Sequence, residues 1–343
     1  MRTMRCAIFH EPKKMTVEQK ELRPIEPDEI VIQVKACGIC GTDIHLYLGE
    51  TTYASPPVIL GHEFSGEVVE VGEAVTTVKV GDKATAEPNF ECGLCPLCRD
   101  GKERICPNNL PYGINKDGGF AEYFIGREDK VYRVPDAVAF EEAAFTEPIS
   151  NVVHGIDLAD IAPGTSVAVV GGGPSGMAYL QLAKRAGASP LVLVTRSEWK
   201  FDLASQFGAD VCVSPVKQDP KQAILDLTDG AGCDVVIEAV GGGRAVEASY
   251  DLVGAGGKVL VFGVAPEKDT FSLPPFDFLT REISLLAVWL NPACFRRAID
   301  LLAKGLVDVK SLATHRFPLD DIVEGFNVMI EKPEGFIKAL IVP

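Results

Sequence analysis

The chain has 343 residues, 47% of them hydrophobic, and a formal net charge of −15, a length that suits two domains of roughly 150 residues each. No stretch approaches the ~20 uninterrupted apolar residues of a membrane helix, and the acidic excess, offset by no local Lys/Arg cluster, repels a phosphate backbone. Membrane and nucleic acid are thus excluded as partners, and the start M-R-T-M-R-C-A-I-F-H-E-P, which lacks the apolar core of a signal peptide, makes the cytoplasm the expected compartment.

From residue 1 to about 150, short β-like runs at 30–35, 64–71, 83–86, 121–124 and 131–134 are broken by Gly and Pro and predict an irregular, mostly β domain. From 151 the pattern changes. Apolar runs at 166–170, 191–195, 211–213, 235–239 and 258–263 alternate with helical stretches at 177–186, 200–207 and 220–228. Continuous Val/Leu/Ile strands separated by helices predict a doubly wound α/β domain, its parallel sheet covered on both faces. After about 290 a helix is expected over 292–304, then short strands ending at 337–342.

Within the first domain, E-C-G-L-C-P-L-C-R-D-G-K-E-R-I-C places Cys92, Cys95, Cys98 and Cys106 at C-x2-C-x2-C-x7-C spacing. Thiolates two residues apart reach one tetrahedral ion in a tight turn, and four of them fill its coordination sphere, so a structural zinc is expected, with no open position for chemistry. The alternative, two disulfides, needs an oxidising compartment.

In the second domain S-V-A-V-V runs into Gly171-Gly172-Gly173-Pro174-Ser175-Gly176 and then a helix, which satisfies G-x-G-x-x-G in a strand–turn–helix context. Gly171 permits the tight turn, Gly173 the close approach of a pyrophosphate and Gly176 the packing of helix on strand; Pro174 and Ser175 complete the turn, and the N-terminus of the helix that follows favours phosphate. An acidic residue at the end of the next strand would bond the ribose hydroxyls and repel a 2′-phosphate. Here the sequence reads Thr195-Arg196-Ser197-Glu198-Trp199-Lys200. Arg196 could stack on adenine and pair with a 2′-phosphate, with Thr195, Ser197 and Lys200 completing the site, so NADP is expected. NAD is the alternative, with Arg196 a solvated charge and Glu198 on the ribose.

Cys40-Gly41-Thr42-Asp43-Ile44-His45 and Gly61-His62-Glu63-Phe64-Ser65-Gly66-Glu67, taken with the cysteine run and the glycine turn, resemble the zinc-dependent medium-chain alcohol and polyol dehydrogenases over nearly the whole chain. The resemblance implies a GroES-like catalytic domain, 1–150 with the zinc lobe and completed by 290–343, and a Rossmann domain over 151–289. It also implies a second, catalytic zinc, making two per chain. Cys40 and His62 are its ligands by the family pattern, and Cys37 is read as a small core residue. Glu63, or Glu147 of Ala144-Phe145-Thr146-Glu147-Pro148, supplies a carboxylate, and either could be the direct ligand. Asp43 is read both as an acceptor that fixes the His62 tautomer and as a helix-capping residue. Such an ion acidifies an alcohol; Thr42 would accept the proton and pass it through the cofactor ribose to His45, while hydride goes to the nicotinamide between Ala239-Val240 and Gly263-Val264. The resemblance further implies a small alcohol or polyol substrate and a homodimer or homotetramer.

Other residues are less legible. Tyr47, Tyr123, Trp289, Leu290 and Asn291 read equally as substrate pocket or packing, and residues 286–291 lack an arginine that sorbitol dehydrogenase-like relatives carry. Cys6, Cys212, Cys233 and Cys294 read as buried small residues, His10 and His315 as surface or packing residues, and His154 as packing or a cofactor-side group. G-G-F-A-E-Y at 118–123 also occurs in threonine 3-dehydrogenases, so threonine oxidation with NAD stays open. A zinc- and nucleotide-binding protein without turnover is a further alternative, against which the presence of Cys40 and His62 argues.

Overall fold

Thr3–Glu11 (β1) and Lys14–Glu21 (β2) pair as an antiparallel hairpin in the computed structural model, which describes residues 2–291 and 293–343. Neither strand was expected: β2 alternates, yet Met15 is its only fully buried residue, so its apolar signal is thin. Two units emerge, Met1–Ser150 with Asn291–Pro343, and Asn151–Leu290.

The first unit is organised by Glu29–Gly38 (β3), whose E-I-V-I-Q-V-K-A-C-G is buried almost throughout because strands flank it on both edges. Val58–Ile59 (β4) extends the opening hairpin. Glu63–Val71 (β5), Lys83–Ala86 (β6) and Val131–Arg133 (β8) continue the sheet from one edge of β3, and Tyr123–Arg127 (β7) pairs with the first half of β3. Aromatic rings fill the interior: Phe64 and Phe124 have centroids 4.4 Å apart, and Tyr112 meets Phe124 edge-on at 5.0 Å, geometries that add to the burial of each ring.

The second unit is a six-stranded parallel sheet of Val167–Val170 (β9), Leu191–Val194 (β10), Val211–Val213 (β11), Cys233–Glu238 (β12), Val253–Val261 (β13) and Ser284–Ala287 (β14), in the order β11-β10-β9-β12-β13-β14. V-A-V-V and L-V-L-V are buried at every position, as strands covered on both faces must be. Strand order reverses between β9 and β12, the switch point outside whose carboxyl ends dinucleotides bind. The strand β14 and the helix Gly243–Leu252 were not expected.

Ala313–Pro318 (β15) and Lys338–Val342 (β16) return to the first unit's sheet. β16 runs antiparallel to β3 with Leu340 opposite Gly38, and Gly38 in turn faces Glu63 of β5. Residue 292, where a helix was expected to start, lies outside the described residues; the helix there is Phe295–Ala303. Among the described residues no helix is long and apolar enough to cross a membrane.

Candidate active site

Past the end of β3, Cys40 caps the helix Gly41–Leu48. Asp43, in its first turn, folds one carboxylate oxygen back to accept from the Cys40 amide at 2.8 Å, half of a capping box. The other oxygen faces His62 Nδ1 at 3.6 Å. The capping reading of Asp43 is realised by one oxygen, while the other lies close to His62 without a hydrogen bond to it. His62 immediately precedes β5 and Glu63 opens it, so Cys40 Sγ, an imidazole nitrogen and a carboxylate oxygen come within 4.8 Å of one another. Cys37 stays out of this group, its buried thiol directed at the Gly38 carbonyl.

The environment is closed and acidic. Burial lifts the Cys40 thiol above its ordinary value and raises Asp43 to about 6. Burial also opposes charge on His62, yet the negative charges of Asp43, Cys40 and Glu147 hold the imidazole well above its usual range. The shifts on Cys40 and His62 both favour the protonated forms, whereas thiolate and neutral imidazole are the forms that bind a metal. Asp43 Oδ1 and His62 Nδ1 are buried without a hydrogen-bond partner, and thiol, imidazole and carboxylate together are a donor set that suits zinc. The residues fit the ion.

Lys338 was not singled out from the sequence. Its ammonium pairs with Glu63 Oε2, both side chains being almost sealed from solvent. Burial opposes the ammonium, but Glu63 and Cys40 hold it above its ordinary value. The pair meets where Gly38 has no side chain: a Cβ there would overlap Glu63 Oε2 and crowd Lys338 Cε. Glu147 stands in the first turn of the helix Thr146–Ala159, buried; its charge acts on His62, but it is not one of the three residues grouped within 4.8 Å. Thr42 is half-buried on the Cys40 helix, and His45, one turn on, has Nδ1 2.6 Å from Glu50 Oε2.

The four lobe cysteines form the other group. Sulfur separations of 3.5, 3.9 and 4.0 Å for Cys92–Cys106, Cys95–Cys106 and Cys92–Cys98 are far beyond the ~2.0 Å of a disulfide. They match the ~3.8 Å edge of a tetrahedron with ~2.3 Å zinc–sulfur bonds. Backbone amides donate to Cys92 and Cys95 sulfurs at 3.4 and 3.5 Å. Amides of Leu94 and Cys95 pull the Cys92 thiol down to about 6, while burial pushes Cys98 up to about 12.

In the second unit Gly171 turns with φ 114°, and a Cβ there would meet the Ala239 carbonyl at 2.8 Å; a Cβ on Gly173 would meet nothing within 4 Å, leaving room for a phosphate. Pro174 and Ser175 start the helix Pro174–Ala186, and Gly176 packs its backbone against Gly171. Thr195 is buried and accepts from the Ser197 amide at 3.4 Å. Arg196 is exposed. Lys200 Nζ donates to the Gly172 carbonyl at 2.9 Å, whereas Glu198 is drawn to Lys217 at 2.6 Å. Glu238, not among the residues expected from sequence, accepts from the Val240 and Gly241 amides, each at 2.7 Å, and from Gly263 at 3.3 Å. It thereby ties together the loops that carry Val240 and Val264. A carboxylate closing an apolar strand shortly before three consecutive glycines was the available signal.

Of the less legible residues, Asn291 is 1% exposed with its amide bonded on both sides, so it packs rather than lines a pocket. His154 Nδ1 donates to the Leu290 carbonyl at 2.8 Å. Cys6, Cys233 and Cys294 are buried and Cys212 half-buried.

Comparison with known proteins agrees with this picture. Residues 26–136 match the family model described as alcohol dehydrogenase GroES-like domain, and 174–304 the one described as zinc-binding dehydrogenase. The L-threonine 3-dehydrogenase of Caldanaerobacter subterraneus subsp. tengcongensis is 37% identical over 326 residues, 92% of each chain. The D-arabitol-phosphate dehydrogenase of Enterococcus avium is 36% identical over 318 residues, 92% of this chain and 90% of its own. A solved structure from Sinorhizobium meliloti 1021, bound to NADP, is 37% identical with a TM-score of 0.95 and covers 100% of both chains.

Proposed function

Because this chain belongs to the zinc-dependent medium-chain dehydrogenases, enzymes acting on CH–OH groups, we propose that it moves hydride between a secondary alcohol or polyol and NADP. The grouping of Cys40, His62 and Glu63 within 4.8 Å carries the reading. Cys40 and His62 hold the ion, with Glu63 or Glu147 as the carboxylate, and Cys92, Cys95, Cys98 and Cys106 hold a second, structural one. Bound there, the catalytic ion supplies Lewis acidity that lowers the pKa of a substrate hydroxyl. Asp43 orients His62 and keeps its other nitrogen for binding. Thr42 Oγ1 takes the proton, and His45, paired with Glu50, carries it outward; Thr42 and His45 are spaced i, i+3 on one helix face.

For the cofactor, Gly171, Gly173, Pro174, Ser175 and Gly176 receive the pyrophosphate, and Val240, Gly263 and Val264 border the nicotinamide. Arg196 with Thr195, Ser197 and Lys200 receives the adenosine 2′-phosphate. The engagement of Glu198 with Lys217 supports NADP, since it removes the carboxylate that would otherwise repel that phosphate. The exposed Phe276 and Leu279 and the edge position of β14 support a homodimer or homotetramer. Ten cysteines without a disulfide suit a reducing compartment such as the cytoplasm.

A panel of pentitols, hexitols, simple secondary alcohols and threonine, assayed with both cofactors, tests the reading. NADP reduction with a polyol or secondary alcohol is expected. Likeness to a threonine dehydrogenase favours a second reading, and turnover of threonine with NAD alone would replace the first by it. Failure on the whole panel would overturn both.

A further inference from the structure

The cysteine lobe and the helix that carries Glu147 are joined by a line of side-chain amides. At the lobe's root the Phe90 amide donates to Asn109 Oδ1 at 2.8 Å, and Asn109 Nδ2 to Asn89 Oδ1 at 3.4 Å. Asn89 Nδ2 then donates to Asn291 Oδ1 at 2.8 Å, and Asn291 Nδ2 to Ser150 Oγ at 2.6 Å. Ser150 in turn donates to the Glu147 carbonyl at 2.6 Å. A backbone N–H begins the line and a backbone C=O ends it, so every amide is fixed in one orientation and all donors point the same way. Bonds aligned head to tail polarise one another.

Asn89, Asn291 and Ser150 are buried, at 3%, 1% and 0% exposure. Burying two amides stabilises nothing by itself, because each must first be stripped of water; a leucine of similar volume would fill the space. What amides provide and leucines do not is a fixed distance and direction. The ends of the line explain the need. Asn89 precedes Cys92 by three residues and Asn109 follows Cys106 by three, its amide donating to the Cys106 carbonyl at 3.2 Å. Asn89 and Asn109 thus flank the four cysteines, and their side chains meet at the lobe's root. At the far end, Ser150 closes on a carbonyl in the first turn of the helix that carries the buried Glu147, the alternative carboxylate of the reading above.

We infer that Asn109, Asn89, Asn291 and Ser150 form a positioning relay, through which closure of the cysteine lobe around its metal sets how firmly the Cys40–His62 centre retains its own ion. The inference rests on the reading above in which both clusters bind metal. Asn291 is its central positioning residue.

The test measures metal affinity on the intact protein, by competition with a chromophoric chelator, together with the visible spectrum of cobalt(II) at the Cys40–His62 centre. Measured with the lobe filled, Asn291→Leu should weaken the other centre about tenfold, as loss of outer partners typically does, and shift the cobalt bands; measured with that centre empty, the lobe's own affinity should be unchanged, since the coupling is reciprocal. Cys95→Ser, which opens the lobe, should weaken the same centre. The double variant should be no weaker than Cys95→Ser alone, because both changes break one path. Multiplying losses, or an unaltered cobalt spectrum and affinity in Asn291→Leu, would overturn the relay. Should Asn291→Leu not fold, Ser150→Ala removes a single hydroxyl and is judged by the same criteria. A wild-type protein binding only one ion would overturn the two-site reading itself, an outcome distinct from two ions with no coupling.

Discussion

Lys338 and Glu63 form an ion pair in the interior of the first unit, with side-chain exposures of 4% and 3%. A pair so buried gains little over apolar packing, but removing one partner strands a charge at a cost of about 3–5 kcal/mol. Lys338→Met should therefore lower the melting temperature markedly in a chelator and less in zinc, because a cation beside Glu63 offsets the lost ammonium. Thermal melts under the two conditions check this; an equal loss in both would place Glu63 outside the ion's reach.

Asp43→Asn keeps an oxygen for the Cys40 amide but loses the charge that faces His62. Stability should change little, while zinc retention at this centre falls about 10–100-fold. Chelator competition on the purified variant measures it. Retention equal to wild type would reduce Asp43 to its capping role.

Thr42→Ala removes the proposed proton acceptor without touching a donor to the metal. We expect kcat to fall about 10²–10⁴-fold, the usual range for a positioned acid–base group, with metal content unchanged. Steady-state kinetics beside elemental analysis decides the matter, and full turnover would leave Thr42 as an ordinary first-turn residue.

Arg196→Ala should raise KM for NADP about 10–100-fold, equivalent to losing a charge-assisted hydrogen bond, and leave kinetics with NAD nearly unaltered. Equal effects on both cofactors would remove Arg196 from the 2′-phosphate site.

Glu29 offers a pH test remote from either metal group. Arg23 bonds both its oxygens, at 2.6 and 2.7 Å, and holds the carboxyl below its ordinary value. A folded pKa below the unfolded one means that the stabilisation is complete above the unfolded value of about 4.3 and disappears as pH falls through the folded value. Since Arg23 is half exposed, the contribution should be about 1 kcal/mol. Glu29→Gln should shed that amount at neutral pH and flatten the acid limb of a stability-versus-pH curve. A curve parallel to wild type would count against the pairing.

Local spacing made much of this protein legible. The four cysteines of the lobe lie within one short loop, and the glycines of the Gly171–Gly176 turn act on neighbours in the chain, so each motif contained its own geometry. Lys338 and Asn291 were another matter, since their partners are distant: Asn89 and Asn291 are 202 positions apart. A lysine set in the apolar run F-I-K-A-L-I-V did hint at a buried counter-charge, but not at which acid would supply it. Asn291 gave no such hint, since a lone asparagine before a proline reads as an ordinary turn residue. Asp43 resisted a single reading because its two oxygens do different work.

Gly38 leaves the room in which the strand β16 reaches Glu63 of β5 with a charge rather than a methyl. The strand β16 is thereby a latch on Glu63. Clipping or unzipping β16 would disarm Glu63 while β3 and β5 remain paired, so a nicked sample should look folded by circular dichroism and yet bind its ion as a different protein would.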